Sequence, residues 1–400
     1  MLLELSSTSG SDSRQSSSWS GVLALSLGAF ALIASEFMPV SLLTPIAADL
    51  DITQGQAGQA IAVSGAFAVI TSLFISAVAG QLDRKVLLLI LTGLMVVSGT
   101  IVAIAPNYEI FMLGRAFVGI AIGGFWSMAA ATAMRLVPKD QVPRALSILN
   151  GGNALATVVA APLGSFLGGL IGWRGAFFFV VPIAAIVFVW QWVSLPSMKT
   201  EARTSVAGVF VVLQRPVVAL GMAAVSVFFM GQFTLFTYVR PFLEGVEHVD
   251  VSTLSLVLLM MGIAGVVGTW LIGTFLKEWL YGTLITIPAL MALIAAVLSL
   301  SGMGVALTAV LLGLWGLFAT AAPVGWWTWI ARTLPNDAEA GGGLMVAVVQ
   351  LAITSGAVLG GILFDNAGYR ATFGASTLLL MIATVLTVLA ARVSKHKTAD

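Results

Sequence analysis

The chain reads as an all-α membrane protein of twelve transmembrane helices arranged as two six-helix halves, and three observations predict this. Of its 400 residues 59% are apolar and only 9% charged, where a soluble domain carries about 25% charged residues. Apolar runs long enough to cross a bilayer recur at 21–48, 57–80, 86–105, 110–135, 144–171, 175–194, 216–241, 251–276, 281–301, 304–331, 341–364 and 371–392. The two halves also repeat. A shift of 196 carries Gly172-Trp173-Arg174 onto Gly368-Tyr369-Arg370, and Glu36-Phe37 with Pro45 onto Gln232-Phe233 with Pro241; a shift of 197 carries Arg135-Leu136-Val137-Pro138 onto Arg332-Thr333-Leu334-Pro335. A near-constant offset at three separate places implies two parallel halves with a site near the midplane between them.

Charge sets the expected orientation. Of the 18 lysines and arginines, Arg174, Arg240 and Arg370 fall on one face and Arg115 lies inside a run; the others share the opposite face, which makes that face and both termini cytoplasmic. The serine-rich residues 1–18 lack the apolar core of a signal peptide and are expected to be a disordered cytoplasmic tail. The organisation that follows is a first half at 19–196, a polar cytoplasmic linker at 197–215, a second half at 216–393 and a short tail at 394–400. A net charge of +1 gives no basic stripe for nucleic acid. There are no cysteines, and the two histidines, His248 and His396, fall in a loop and in the tail, so no metal site is expected.

The first run holds Glu36-Phe37-Met38-Pro39-Val40-Ser41-Leu42-Leu43-Thr44-Pro45. At ~1.5 Å per residue, Glu36 lies roughly 22 Å past the start of the run, close to mid-bilayer or just beyond it. A carboxylate at that depth costs at least ~2.5 kcal/mol, so it is expected to face a bundle interior or a wet cavity. Pro39 and Pro45 remove helix donors and free backbone carbonyls. No other acidic residue falls deep inside a run, so Glu36 is read as the proton-carrying group of a secondary transporter. The repeat answers Glu36 with Gln232, which cannot titrate, and Arg115 with Leu312; proton chemistry therefore belongs to the first half.

Arg115, five residues into the fourth run and roughly 8 Å below the outer surface, has a planar fork suited to a carboxylate. Paired with Glu36 it would favour the ionised acid, and separated from it burial would favour the protonated form, so Arg115 is read with Glu36 as a proton-coupling residue; the alternative is that it snorkels to the outer headgroups or binds helix-end carbonyls. Asp83-Arg84-Lys85 either latches the halves from a helix N-terminus or only sets orientation. In the fifth run Asn153, Pro162 and Gly164 combine an amide near mid-depth with small and bending residues, which suits close packing or a gating role. Trp126, Gln232, Phe233, Phe236 and Gln350 add amides and rings near mid-depth, a mixture for a flat, uncharged, hydrogen-bonding solute, with ordinary core packing as the alternative for each ring. Of Trp326, Trp327 and Trp329, at least two are expected in an interfacial aromatic belt. Spans three, six, nine and twelve are poorer in polar groups and are expected to face lipid. There is no His-Glu-x-x-His, no Gly-x-Ser-x-Gly and no phosphate loop. The expectation is a non-enzyme, without cofactor, driven by an ion gradient.

With Asp83-Arg84 after span two, Gly114-Arg115-Ala116-Phe117-Val118-Gly119 in span four and the Pro162/Gly164 region of span five, the chain resembles the major facilitator superfamily, specifically its twelve-helix drug/proton antiporters, over nearly its whole length. The stretch from Glu36 to Pro45 looks like the sugar-efflux and nucleoside-efflux branch. Gly123-Gly124-Phe125-Trp126, Ala160 to Gly168, and Phe236-Thr237-Tyr238-Val239-Arg240-Pro241 are similar to bacterial purine ribonucleoside exporters. The resemblance implies a bacterial inner-membrane antiporter that exchanges inosine- or guanosine-like nucleosides for protons. Sugar or multidrug export, and a non-transporting receptor or scaffold, are the rival readings, and a monomer is expected. Two stretches depart from the family pattern: Ala79 stands where the loop after span two has its first glycine, and Ala161-Pro162-Leu163-Gly164-Ser165 replaces Gly-Pro with paired glycines.

Overall fold

The computed structural model describes residues 18–79, 82–198, 213–300, 304–334 and 338–396. The expected tail 1–18 therefore lies outside them except for Ser18, as do most of the linker and the last four residues. Ser18 is not free: its N–H donates to the Leu136 carbonyl at 2.9 Å and its hydroxyl to the Ser194 carbonyl at 3.0 Å.

The helices are α1 (Trp19–Leu50), α2 (Gln54–Ala79), α3 (Arg84–Ile104), α4 (Tyr108–Arg135), α5 (Val142–Ser194), α6 (Pro216–Phe236), α7 (Val239–Gly245), α8 (Val251–Glu278), α9 (Leu280–Leu298), α10 (Val305–Thr333) and α11 (Ala338–His396), with a 3-10 turn at Lys139–Gln141. Ten helical segments among the described residues are long and apolar enough to cross a membrane. Polar caps start several of them. Asn107 accepts from the Ile110 N–H at 3.0 Å to open α4, and Asp250 accepts from the Thr253 N–H at 3.2 Å to open α8, each satisfying a donor the first turn leaves over.

Two of the apolar segments, Arg144–Ser194 in α5 and Gly341–Ser394 in α11, run 51 and 54 residues. At ~1.5 Å per residue each is more than twice the ~30 Å hydrocarbon core. Each turns at one glycine: Gly172 at φ 76, ψ 165 and Gly368 at φ 75, ψ −176. That backbone region is essentially closed to residues with a Cβ. The two glycines are the pair that the 196-residue shift superimposes.

Packing repeats with the sequence. On α4 a Cβ at Gly119 would stand 2.3 Å from the Ser64 carbonyl oxygen of α2; on α10 a Cβ at Gly316 would stand 2.3 Å from the Met261 carbonyl oxygen of α8. Both members of the second contact lie 197 residues beyond those of the first. Close backbone approach through small residues is the means by which helices associate in lipid, where apolar side chains gain nothing by leaving the acyl chains. Two hydrophobic cores result, one built mainly from α1–α5 and the other mainly from α6–α11. Exposed Ile90 and Ile104 on α3, Trp192 and Val193 after the α5 bend, Leu293 on α9, and Leu378 and Val385 after the α11 bend give the outside an apolar surface suited to lipid.

The tryptophan expectation needs correction. Trp326 and Trp329 are buried, and only Trp327 is exposed. Trp329 fills the space left by Gly221 of α6, donating from its indole to the Tyr281 hydroxyl at 3.1 Å, so core packing outweighs the interface for two of the three.

Candidate functional site

Helix α1 carries both interior prolines, Pro39 and Pro45. A helical carbonyl accepts from the N–H four residues on, and proline has none, so the Ser35 and Ser41 carbonyls lose their partners. Each is taken by an arginine. Arg115, 1% exposed on α4, donates Nη1 to Ser35 O at 2.7 Å, Nη2 to Glu36 O at 3.1 Å and to the Ser64 hydroxyl at 3.0 Å, and Nε to Ala60 O at 3.0 Å. Arg240 of α7 donates to Ser41 O and holds Glu244 through Nε and Nη2 at 2.8 and 2.7 Å.

In this structure Arg115 grips helix carbonyls, one of them freed by Pro39. It meets the main chain of Glu36, and no ion pair joins the two side chains. Glu36 is 3% exposed and accepts a hydrogen bond from Gln350 Nε2 of α11 at 3.3 Å, across the boundary between the two cores. The acid thus faces protein from the opposite half and is turned away from the exposed apolar surface.

Beside it, Phe37 and Phe233, which the 196-residue shift relates, stack at 5.6 Å with planes 26° apart; Phe236 meets Phe233 edge-on at 5.8 Å. The repeat relates Asn153 to Gln350 by 197 residues, as it relates Glu36 to Gln232 by 196. Symmetry would therefore answer the Glu36–Gln350 bond with one between Gln232 and Asn153. That second bond is not made: Gln232 is 8% exposed with its amide oxygen unpartnered, and half-buried Asn153 makes no side-chain hydrogen bond among the described residues. Trp126, half-buried on α4, packs edge-on against Phe125 at 5.7 Å.

The expected gating residues are placed as follows. Asp83 caps α3, accepting from Lys85 N–H at 2.8 Å, and also accepts from the Ser197 hydroxyl and from Met198 N–H at 3.0 Å. Partial burial pushes its carboxyl up, but the bonds from Ser197, Met198 and Lys85 prevail and hold it below the usual aspartate value. Asp83 and the Arg84 N–H, which donates to Met198 O at 3.0 Å, thus tie the start of α3 to the segment after α5. Pro162 lies inside α5, and Gly164 lets that helix approach Ser41 and Met38 of α1. Phe37 and Arg240 were not among the candidates read from sequence. The signals were present: Phe37 is the repeat partner of Phe233, and Arg240 precedes Pro241, the partner of Pro45.

A sequence profile described as the Major Facilitator Superfamily matches residues 25–345. The chain belongs to the Major Facilitator Superfamily. Among its relatives, it is 64% identical to the Transcription regulatory protein OpdE of Pseudomonas aeruginosa over 96% of this chain and 97% of that one. It is 42% identical to the Purine ribonucleoside efflux pump NepI of Salmonella enteritidis over 94% and 95%. Solved superfamily structures share the fold: a bacterial homologue of the human lysosomal transporter Spinster superposes with TM-score 0.73 at 18% identity, over 94% of this chain and 97% of that one. The nucleoside transporter NupG superposes with TM-score 0.71 at 14% identity, over 93% and 98%. The fold is thus that of superfamily transporters, and the chain is a multi-pass membrane protein.

Proposed function

We propose that this protein is a proton-coupled antiporter of the bacterial inner membrane that exports purine ribonucleosides, working as a monomer with both termini cytoplasmic. Twelve crossings in two six-helix halves follow if α5 and α11 each cross twice, turning at Gly172 and Gly368. The observation that carries the reading is the buried Glu36–Gln350 hydrogen bond between the halves, within one α1 turn of an aromatic pair and opposite an unmade symmetric bond. Glu36 takes a proton from outside and releases it inside. Gln232 and Asn153 keep hydrogen-bonding capacity for cargo, while Phe233, Phe236 and Trp126 offer faces for a flat base. Asp83, Arg84, Pro162 and Gly164 serve the gating movement, and Arg115, which fixes the bend of α1 that holds Glu36 in place, biases the proton equilibrium of that acid. The relative named as a purine ribonucleoside efflux pump supports the cargo class. Sugars or drugs on the same scaffold are the alternative cargo; the lone deep carboxylate disfavours lipophilic cations.

The test is uptake of labelled inosine and guanosine into proteoliposomes driven by an imposed pH gradient. Glu36→Gln is expected to abolish accumulation against a gradient while nucleoside binding persists. A Glu36→Gln protein that still concentrates nucleoside removes Glu36 from coupling. A second reading, a membrane-embedded receptor without transport, takes its support from the relative named as a transcription regulatory protein. Nucleoside binding with no uptake by the unaltered protein would select it.

A further inference from the structure

We propose that Arg240 and Asp365 form a two-point clasp that holds the two halves shut at the end of the bundle away from the chain termini. Its purpose, to open when cargo leaves on that side, rests on the efflux reading; its existence does not.

The first point is Arg240. Pro45 strips the Ser41 carbonyl of its helical donor, and a bare carbonyl away from water is strongly disfavoured. The donor that replaces it comes from α7 in the other half. Arg240 is only 5% exposed, so it does not snorkel to the surface, and Glu244 one turn along occupies the rest of its fork. The contrast with Arg115 is what makes this a clasp. Arg115 takes the carbonyl freed by Pro39 from within its own half, whereas Arg240 reaches across.

The second point is Asp365, just before the bend of α11. Its carboxylate accepts from the Thr53 hydroxyl at 2.6 Å and the Gly55 N–H at 2.9 Å, at the first turn of α2, where unpaired donors and the helix dipole favour an anion. The fit is tight: a Cβ on Gly55 would stand 2.2 Å from that carboxylate and 2.7 Å from the Gly361 carbonyl oxygen. Between the two points Tyr238, from the second half, is fully buried in the core of the first, its hydroxyl donating to Ala357 O at 2.9 Å. Further bonds between the halves, Thr354 to Ala62 O at 3.4 Å and Gln350 to Glu36 at 3.3 Å, continue inward to the level of the acid. Ser41 lies five residues beyond Glu36 on α1, about 7.5 Å along the axis, so releasing Arg240 frees the same helix that carries Glu36.

The chain has no cysteines, so labels can be placed without background. Spin labels at Asp51→Cys and Asn366→Cys, both exposed at this end, in the full-length protein in nanodiscs are expected to report one short distance. Arg240→Gln and Asp365→Asn are each expected to add a longer population. Unchanged distances in both variants overturn the clasp; should Arg240→Gln fail to fold, Asp365→Asn, which alters an exposed side chain, decides alone. A Thr53→Cys/Asp365→Cys disulfide is expected to abolish transport and reduction to restore it; an oxidised protein that still transports overturns the clasp. The distances need no cargo. A protein that opens as expected but moves no nucleoside therefore leaves the clasp standing and removes the efflux reading.

Discussion

Two prolines in one helix would ordinarily leave two carbonyls stranded in an apolar interior, and α1 tolerates them because two arginines supply the missing donors. A lysine in place of Arg115 keeps the charge but not the fork, so it cannot serve Ser35 O, Glu36 O, Ala60 O and the Ser64 hydroxyl together. Arg115→Lys is expected to cost about 1–3 kcal/mol, the cost of a buried acceptor left unpaired, read as a lower unfolding temperature in detergent. Adding Pro39→Ala should recover part of that loss, because the new N–H returns the Ser35 carbonyl to an ordinary helical bond. No recovery would mean that the freed carbonyl is not what Arg115 is there to satisfy.

At the scale of the element, the bends of α5 and α11 depend on single residues. Gly172 and Gly368 occupy left-handed, extended backbone that a Cβ makes costly, although no neighbouring atom crowds either position. Alanine at either site is expected to destabilise by about 1–3 kcal/mol through backbone strain alone. Gly151, helical and in open space, provides the control: Gly151→Ala should be neutral or stabilising by up to about 1 kcal/mol. Thermal unfolding of the three variants side by side checks the contrast. An equal response at all three positions would contradict it.

For the whole molecule, the proposed exchange, with a single deep acid among the described residues, is expected to carry at most one proton per cycle. With a neutral nucleoside as cargo, each cycle then moves one net charge. A potential of about 100 mV acts on that charge with roughly 2.3 kcal/mol. Proteoliposomes given a potassium diffusion potential, negative on the side from which cargo leaves, should transport faster than unpolarised ones. Transport indifferent to the potential would count against one-for-one exchange.

How much of this was legible beforehand follows from the range over which each feature is decided. The apolar runs and the self-repeat are written in the chain, and α5 and α11 turn where those runs broke, although the left-handed conformation of Gly172 and Gly368 was not read from it. The candidate site was only half legible. Its acid and its aromatic and amide residues could be named, but the facts that give them roles could not. Arg115 meets Glu36 from 79 positions away, Arg240 meets Ser41 from 199, and Gln350 meets Glu36 from 314. Which side of a helix faces a partner so distant depends on how the helices rotate and slide as they pack. The same packing buries Trp326 and Trp329, two of the three tryptophans of which at least two were expected at the membrane interface. Sequence thus set which segments are long and apolar enough to cross a membrane and which of them carries the acid. Tertiary packing chose which carbonyl each arginine holds and which half it belongs to, because an orphaned acceptor takes the donor that the assembled bundle brings within reach.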